Sequence, residues 1–184
     1  MFIENKKHHK TKQEFKKISG ITGKVKKFNQ EKCDKYDVKA RNIIKNIFGD
    51  LIKDNEDIYG EDMIFTQKNF PYKYLELQVC SYWEDTFPYE YPFVYARKMK
   101  FSKKTLFLTF NKYYTKCIIF GREHVSENSG RLKKYDRECV NFVQWGKTME
   151  IITADLSLNS IRRYSGEYIE SEESEENIND VDIE

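Results

Sequence analysis

Cysteine and histidine are scarce in this chain, and long apolar segments are absent. The sequence has only three histidines, and its four cysteines are widely spaced with no CxxC pair: Cys33, Cys80, Cys117 and Cys139. These patterns argue against a zinc finger and a disulfide framework, and they predict reduced thiols. The longest apolar stretches, such as 117–120, are far shorter than the roughly 20 residues of a membrane-spanning helix. With no apolar signal segment at the N-terminus, we expect no membrane contact and an intracellular location, in cytoplasm or nucleus.

Two further motif classes are missing. Neither GxxxxGK[ST] nor GxGxxG occurs around the glycines, so the sequence offers no nucleotide-phosphate loop of those types. No acid and nucleophile accompany His124 at the spacing of a catalytic triad. We therefore expect His124 to be an ordinary surface histidine.

Aromatic residues are abundant. The 184 residues include 13 Tyr, 13 Phe and 2 Trp, and 39% are hydrophobic. This amount of bulky apolar surface can form one core, and the length suits one domain with tails. We predict a flexible basic arm over 1–30, a single domain over 31–163 and a disordered acidic tail over 164–184.

Charge is unevenly distributed along the chain although the net charge is only +2. Residues 1–53 carry an excess of nine positive charges, whereas 164–184 carry nine acids and no Lys or Arg. Basic residues can neutralise phosphates and release counterions, so nucleic acid, most simply DNA, is the expected partner. Lys outnumbers Arg 25 to 7, which favours backbone contacts over base-specific ones. Solvating tails without a partner are the competing interpretation.

Hydrophobic periodicity predicts one clear helix and several strands. Apolar residues recur every three or four positions over 34–53, with Asp34 as a candidate N-cap. The period then falls to two, and 55–60 and 121–130 are predicted loops. Predicted strands cover 63–66, 72–82, 93–101, 105–110, 115–120 and 145–153, and a second predicted helix covers 133–143.

Two acids in this pattern suggest a metal site. Asp62 begins one predicted strand, and Glu76 lies in the next, within Leu-Glu-Leu-Gln-Val. Glu76 and Gln78 share one face of that strand because side chains alternate. If the two strands are neighbours, Asp62 and Glu76 form a pair of carboxylates suited to Mg²⁺ or Mn²⁺.

These motifs resemble the PD-(D/E)XK nuclease superfamily. Its core runs helix, three strands, helix, strand, and its signature is an Asp at the start of one strand followed by Glu/Asp-x-Lys in the next. The resemblance implies an α/β or α+β domain of restriction-endonuclease-like type, with a mixed β-sheet flanked by helices. It implies that Asp62 and Glu76 bind Mg²⁺ or Mn²⁺ and that the chain hydrolyses phosphodiester bonds in DNA. Gln78 stands where Lys is usual, as in those members that carry Glu-x-Gln.

The departures from the family pattern define further expectations. Lys98 and Lys100, on the predicted strand 93–101, are candidates to replace the missing cation, although exposed strand lysines are often inert. Pro88 and Pro92 make a crossover helix over 84–101 improbable. Aromatic residues between Trp83 and Tyr95 either stack on unpaired bases or pack in the core.

The expected site is therefore specific. The catalytic candidates are Asp62, Glu76, Gln78 and Lys98, and the nucleic-acid-binding candidates are Lys24, Lys26, Lys27, Lys98 and Lys100. The alternative is a non-catalytic, nuclease-like protein that binds nucleic acid or acts as a structural or packing component. The richness in Lys, Asn and Ile suits an AT-rich genome, such as that of a large DNA virus. A half-buried strand with ordinary polar partners is the structural alternative for Glu76 and Gln78.

Overall fold

A computed structural model of the chain describes residue 31 and residues 34–132 and 135–167, with the backbone only at 34 and within 131–138. The predicted basic arm over 1–30, including Lys24, Lys26 and Lys27, lies outside the described residues. Most of the predicted acidic tail does so too. No helix within the described ranges is long and apolar enough to cross a membrane.

The described chain is a mixed α/β structure. Within residues 34–167 there are two α-helices, α1 (Lys39–Phe48) and α2 (Leu158–Ser165). A six-stranded mixed sheet has the order β1-β2-β3-β5-β6-β9, and a three-stranded sheet has the order β4-β8-β7. The strands are β1 Ile52–Asp54, β2 Met63–Phe65, β3 Tyr74–Cys80, β4 Phe93–Tyr95, β5 Thr105–Asn111, β6 Lys116–Gly121, β7 Ser129–Leu132, β8 Tyr135–Phe142 and β9 Met149–Ile152.

Helix α1 follows the predicted hydrophobic period but is shorter than expected. Ala40, Ile44 and Phe48 are buried at four-residue intervals and point at the sheet. A π-helical turn (Asp34–Val38) precedes α1, and Gly49 ends it with a φ of 53°, which favours glycine. The predicted range 34–53 was therefore too long, because after Gly49 a 3₁₀ turn leads directly into β1.

Strands β1, β2 and β3 form an antiparallel meander, and β5 lies parallel to β3 on its other side. Leu75 and Leu77 of β3 belong to the core cluster that also contains the buried residues of α1 and α2. Glu76 is in register with Phe107 of β5, whose ring lies in the second core cluster on the opposite face. The alternation predicted for β3 is thus confirmed, with Glu76 on the face away from the helices.

The smaller sheet covers that second face, and it corrects one prediction. Val94 of β4 is fully buried and packs with Phe107 in the second cluster. The predicted helix over 133–143 is wrong, because this segment is mostly β8, paired on both sides with β4 and β7. Cross-strand pairing outweighs local sequence preference in this segment.

Helix α2 was not predicted from the sequence. Ser157 caps its first turn by accepting from the backbone N–H of Ser160, whose hydroxyl group accepts from the N–H of Ser157. Gly166 ends the helix at a φ of 79°. Ile161 is fully buried against the sheet. The helix thus includes the first two residues of the range assigned to the tail.

Candidate functional site

The strand register brings Asp62 and Glu76 together. Met63 of β2 pairs with Leu75 of β3, so Asp62, one residue before β2, stands opposite Glu76. Residues directly opposite in antiparallel strands have Cβ atoms about 4.5–5.5 Å apart. The backbone N–H of Asp62 donates to Oε2 of Glu76 at 3.1 Å, and the N–H of Leu77 donates to Oδ2 of Asp62 at 2.9 Å. The two acids predicted to form one site are therefore neighbours where β2 begins.

Both acids are buried, and each is paired with a cation from a different segment. Asp62 and Glu76 are each only 5% exposed. The guanidinium of Arg41, on α1, binds Oδ1 of Asp62 and donates to the Asp62 carbonyl oxygen at 2.7 Å. Lys98 Nζ lies 2.7 Å from Oε1 of Glu76. Burial of carboxylates is tolerated because these cations and backbone N–H groups compensate for lost hydration.

Lys98 reaches Glu76 from the crossover between β3 and β5. The predicted strand over 93–101 ends at Tyr95, and Lys98 lies instead on a 3₁₀ helix (Ala96–Lys100) that follows it. This tighter helix places Arg97 beside the same acid. Burial lowers the pKa of Arg97, and the nearby Tyr95 and Glu76 oppose this effect.

Gln78 lies on the same strand face as Glu76 but has other partners. Its amide nitrogen donates to the Thr109 hydroxyl group at 3.3 Å and to the Phe93 carbonyl oxygen at 3.4 Å. These two bonds link β3 to β5 and to β4. The amide group of Gln78 is thus engaged in tying the two sheets together, and Lys98 provides the cation beside Glu76.

Arg41 is the residue that sequence reasoning missed. Its guanidinium contacts Asp37 and Asp54, each at 3.2 Å, besides Asp62. Burial favours a lower pKa for Arg41, but the attraction of Asp62, Asp37 and Asp54 outweighs it and raises the pKa. The four-residue spacing of Asp37 and Arg41 was readable as a helical pair. The contact with Asp62 depends on how α1 meets the strand ends, which no local pattern shows.

A third acid, Glu61, also lies buried at this junction. Its Oε1 accepts from the Thr105 hydroxyl group at 2.7 Å and from the backbone N–H of Ser102 at 3.0 Å. These bonds hold the end of the crossover against the start of β2. Glu61 therefore helps to fix the position of the 3₁₀ helix that carries Lys98. Sequence reasoning assigned it no role.

The remaining candidates have separate surroundings. Lys100 Nζ donates to the Tyr59 carbonyl oxygen at 3.1 Å, at the surface. Trp83 is fully buried in the second core cluster, as the packing interpretation of the aromatic segment expects. Cys80 and Cys117 are free thiols.

The ligand chemistry of Asp62 and Glu76 fits a hard divalent cation. Mg²⁺ is commonly held by one or two carboxylates, with water and substrate phosphate completing its shell. Each carboxylate oxygen has about two acceptor positions, and each of the four oxygens accepts at least one bond from a protein donor. Within the described part of the chain, no group of three or more His, Cys, Asp or Glu side chains is arranged to hold a metal. A metal ion at this site would therefore have two carboxylate ligands from the protein, Asp62 and Glu76.

Comparisons with family models, curated proteins and solved structures gave no match to this chain. The site geometry is therefore the only basis for a proposed function.

Proposed function

We propose that this protein is a metal-dependent nuclease of PD-(D/E)XK type that hydrolyses phosphodiester bonds in DNA. The observation that carries the proposal is the position of Lys98, whose Nζ lies 2.7 Å from Glu76. Glu-x-Gln lacks the lysine of the usual motif, and Lys98 supplies a cation beside the same acid from another segment. The acids Asp62 and Glu76 are opposite one another in adjacent strands.

The order of elements supports this proposal. Helix α1 is followed by the antiparallel meander of β1, β2 and β3, and then by β5 parallel to β3. This is the order of the core to which the motif belongs, with one difference. The crossover from β3 to β5 contains β4 and a 3₁₀ helix in place of an α-helix.

The chain's own residues have distinct roles in this proposal. Asp62 and Glu76 would hold Mg²⁺ or Mn²⁺, which when bound supplies a Lewis acid for the phosphate and lowers the pKa of a bound water. Lys98 would stabilise negative charge that develops on the phosphate. Arg41 is a positioning residue in this scheme, because it fixes the orientation of Asp62 through Oδ1 and the carbonyl oxygen. Gln78 keeps β4, and with it the crossover, against β3.

A cleavage assay tests the proposal. Plasmid and single-stranded DNA are incubated with the full chain in Mg²⁺, Mn²⁺ or EDTA, and cleavage is expected in the metal buffers alone. Glu76→Gln should abolish cleavage, since it removes a charged ligand at nearly constant shape. The matched control is Glu84→Gln, at an exposed acid paired with Lys112, which should cleave like the parent. Absence of cleavage by the parent chain in both metals would refute the nuclease proposal.

One observation favours a second function, a non-catalytic protein that binds nucleic acid or packs in a larger assembly. All four oxygens of Asp62 and Glu76 already accept a bond from the chain itself. A site that is neutralised in this way is stable without a metal. Calorimetric titration with Mn²⁺ separates the two functions, because only the nuclease should release heat that is lost in Glu76→Gln.

A further inference from the structure

We propose that the substrate is single-stranded nucleic acid, whose bases stack on an aromatic surface next to the site. This inference rests on the proposed nuclease function and adds its substrate class. The surface, which we call the aromatic platform, is formed by the contacting rings of Phe87, Tyr89, Phe93, Tyr95 and Trp145, with Tyr91 at its rim.

The rings of the platform support one another. Neighbouring rings meet edge to face, with centroid distances of 5.6 Å for Phe87 and Tyr89, 5.3 Å for Tyr89 and Phe93, and 5.8 Å for Phe93 and Tyr95. Trp145 meets Phe87 at 5.6 Å. Edge-to-face contacts hold each ring in a fixed orientation. A base that stacks on such rings therefore orders few side chains as it binds.

Two rings at the rim of the platform are open to solvent. Tyr91 is 38% exposed and Trp145 is 39% exposed, in contrast to the fully buried Trp83. The indole N–H of Trp145 donates to the Glu90 carbonyl oxygen at 2.8 Å, which places Trp145 next to Tyr91. Core packing explains Trp83, but it does not require large rings at the exposed rim.

The platform is continuous with the acidic site. The guanidinium of Arg97 lies over the Tyr95 ring, 4.5 Å from its centroid, and the next residue, Lys98, pairs with Glu76. Arg97 and Lys98 thus connect the platform to the acids of the proposed nuclease site. Continuity with that site favours nucleic acid as the occupant.

The platform suits single strands better than duplex. Aromatic side chains stack on bases whose faces are exposed, and in a duplex those faces are covered by neighbouring bases. Stacking tolerates every base, so we expect little sequence preference. This agrees with the low Arg content, which disfavours base-specific readout.

The test measures binding without cleavage. Fluorescence anisotropy in EDTA compares three labelled probes of equal length with the full chain: oligo(dT), a hairpin duplex and an abasic strand. Tyr91→Leu and Trp145→Leu should each weaken oligo(dT) binding by about 5- to 150-fold, the range reported for loss of one stacked base. Binding to the abasic strand should not change, because it offers phosphates without bases. Tyr91→Phe should bind like the parent.

The control is Tyr113→Leu, at a ring that is 55% exposed in the turn between β5 and β6; its binding should equal the parent's. Equal weakening on the abasic strand, preference for the hairpin duplex, or unchanged binding by both Leu variants of the platform would overturn the inference. Unchanged binding would also be the result if the platform served a protein partner. Tight, platform-dependent binding by a chain that never cleaves would refute the nuclease proposal and show that the platform binds single strands without being part of a cleavage site.

Discussion

Removal of Arg41 should show how much the ion pair between Arg41 and Asp62 contributes to the free energy of unfolding. In Arg41→Met, the Asp62 carboxylate stays buried, at 5% exposure, and keeps only the Leu77 N–H as a donor among the hydrogen bonds and ion pairs described above. Loss of one partner from a buried ion pair destabilises a protein by about 3–5 kcal/mol. Asp37 and Asp54 are more exposed, and such pairs contribute about 0–1 kcal/mol each. We therefore expect the free energy of unfolding to fall by about 3–5 kcal/mol.

The assay is urea unfolding followed by circular dichroism, with a thermal melt as a second measure. For a chain of this size, 1 kcal/mol corresponds to about 2–4 °C in Tm. The double variant Arg41→Met with Asp62→Asn should recover at least about 1 kcal/mol, since the amide oxygen still accepts from Leu77 and no charge is buried.

Lys45→Met is the matched control on the same helix. Lys45 pairs with Asp54, and both side chains are about 40% exposed, so this variant should lose at most about 1 kcal/mol. If Arg41→Met lowers the free energy of unfolding no more than Lys45→Met does, the Arg41–Asp62 pair is screened by solvent, and the expected cost of breaking a buried pair is refuted.

Four further predictions concern β3, the basic arm and a buried thiol. Glu76→Ala takes the carboxylate away from the largely buried Lys98 and should lower the free energy of unfolding by about 3–5 kcal/mol with the fold retained. Leu77→Asp, which buries a charge in the core, should unfold the domain; equal small losses in urea unfolding would show that the strand faces are reversed. Removal of residues 1–27 should weaken oligonucleotide binding and flatten its dependence on salt concentration, and an unchanged slope in a salt titration would exclude a role for the arm. Burial raises the pKa of Cys117 from 9.0 to about 12, so the folded state binds this proton more tightly than the unfolded state and loses stability as pH rises from about 9 to 12. Cys117→Ala should show a smaller loss across that window in denaturant titrations. Gln78→Lys should preserve or raise cleavage in Mg²⁺, because the new cation lies on the face of Glu76; loss of cleavage with an intact fold would place the required cation at Lys98 alone.

The faces of β3 were predictable because this strand alternates in polarity. Leu75 and Leu77 had to face a core if β3 was a strand, and this left Glu76 on the other face. Once β2 and β3 were taken as neighbours, the contact of Asp62 with Glu76 followed from their positions. These inferences use only local period and the order of elements, and the structure agrees with them.

The parts that failed depend on distant contacts. Residues of β8 were predicted as helix from local sequence, whereas pairing with β4 and β7 decided the outcome. The approach of Lys98 to Glu76 requires the crossover to end its strand at Tyr95 and turn as a 3₁₀ helix. No hydrophobic period in the sequence indicates that change. Lys98 could therefore be named as a candidate, but its contact with Glu76 could not be predicted.

The cations that meet the two acids argue for function more than for stability. A buried ion pair is about neutral in stability, or worse, when compared with well-packed apolar residues of the same size. Glu76 and Lys98 are both largely buried, and Glu76 lies on the sheet face whose core cluster includes Phe107 and, from the smaller sheet, Val94. Apolar residues at these positions would serve the fold at least as well. The charged pair, next to a second buried acid, is therefore not explained by stability alone, and the proposed nuclease function gives it a role.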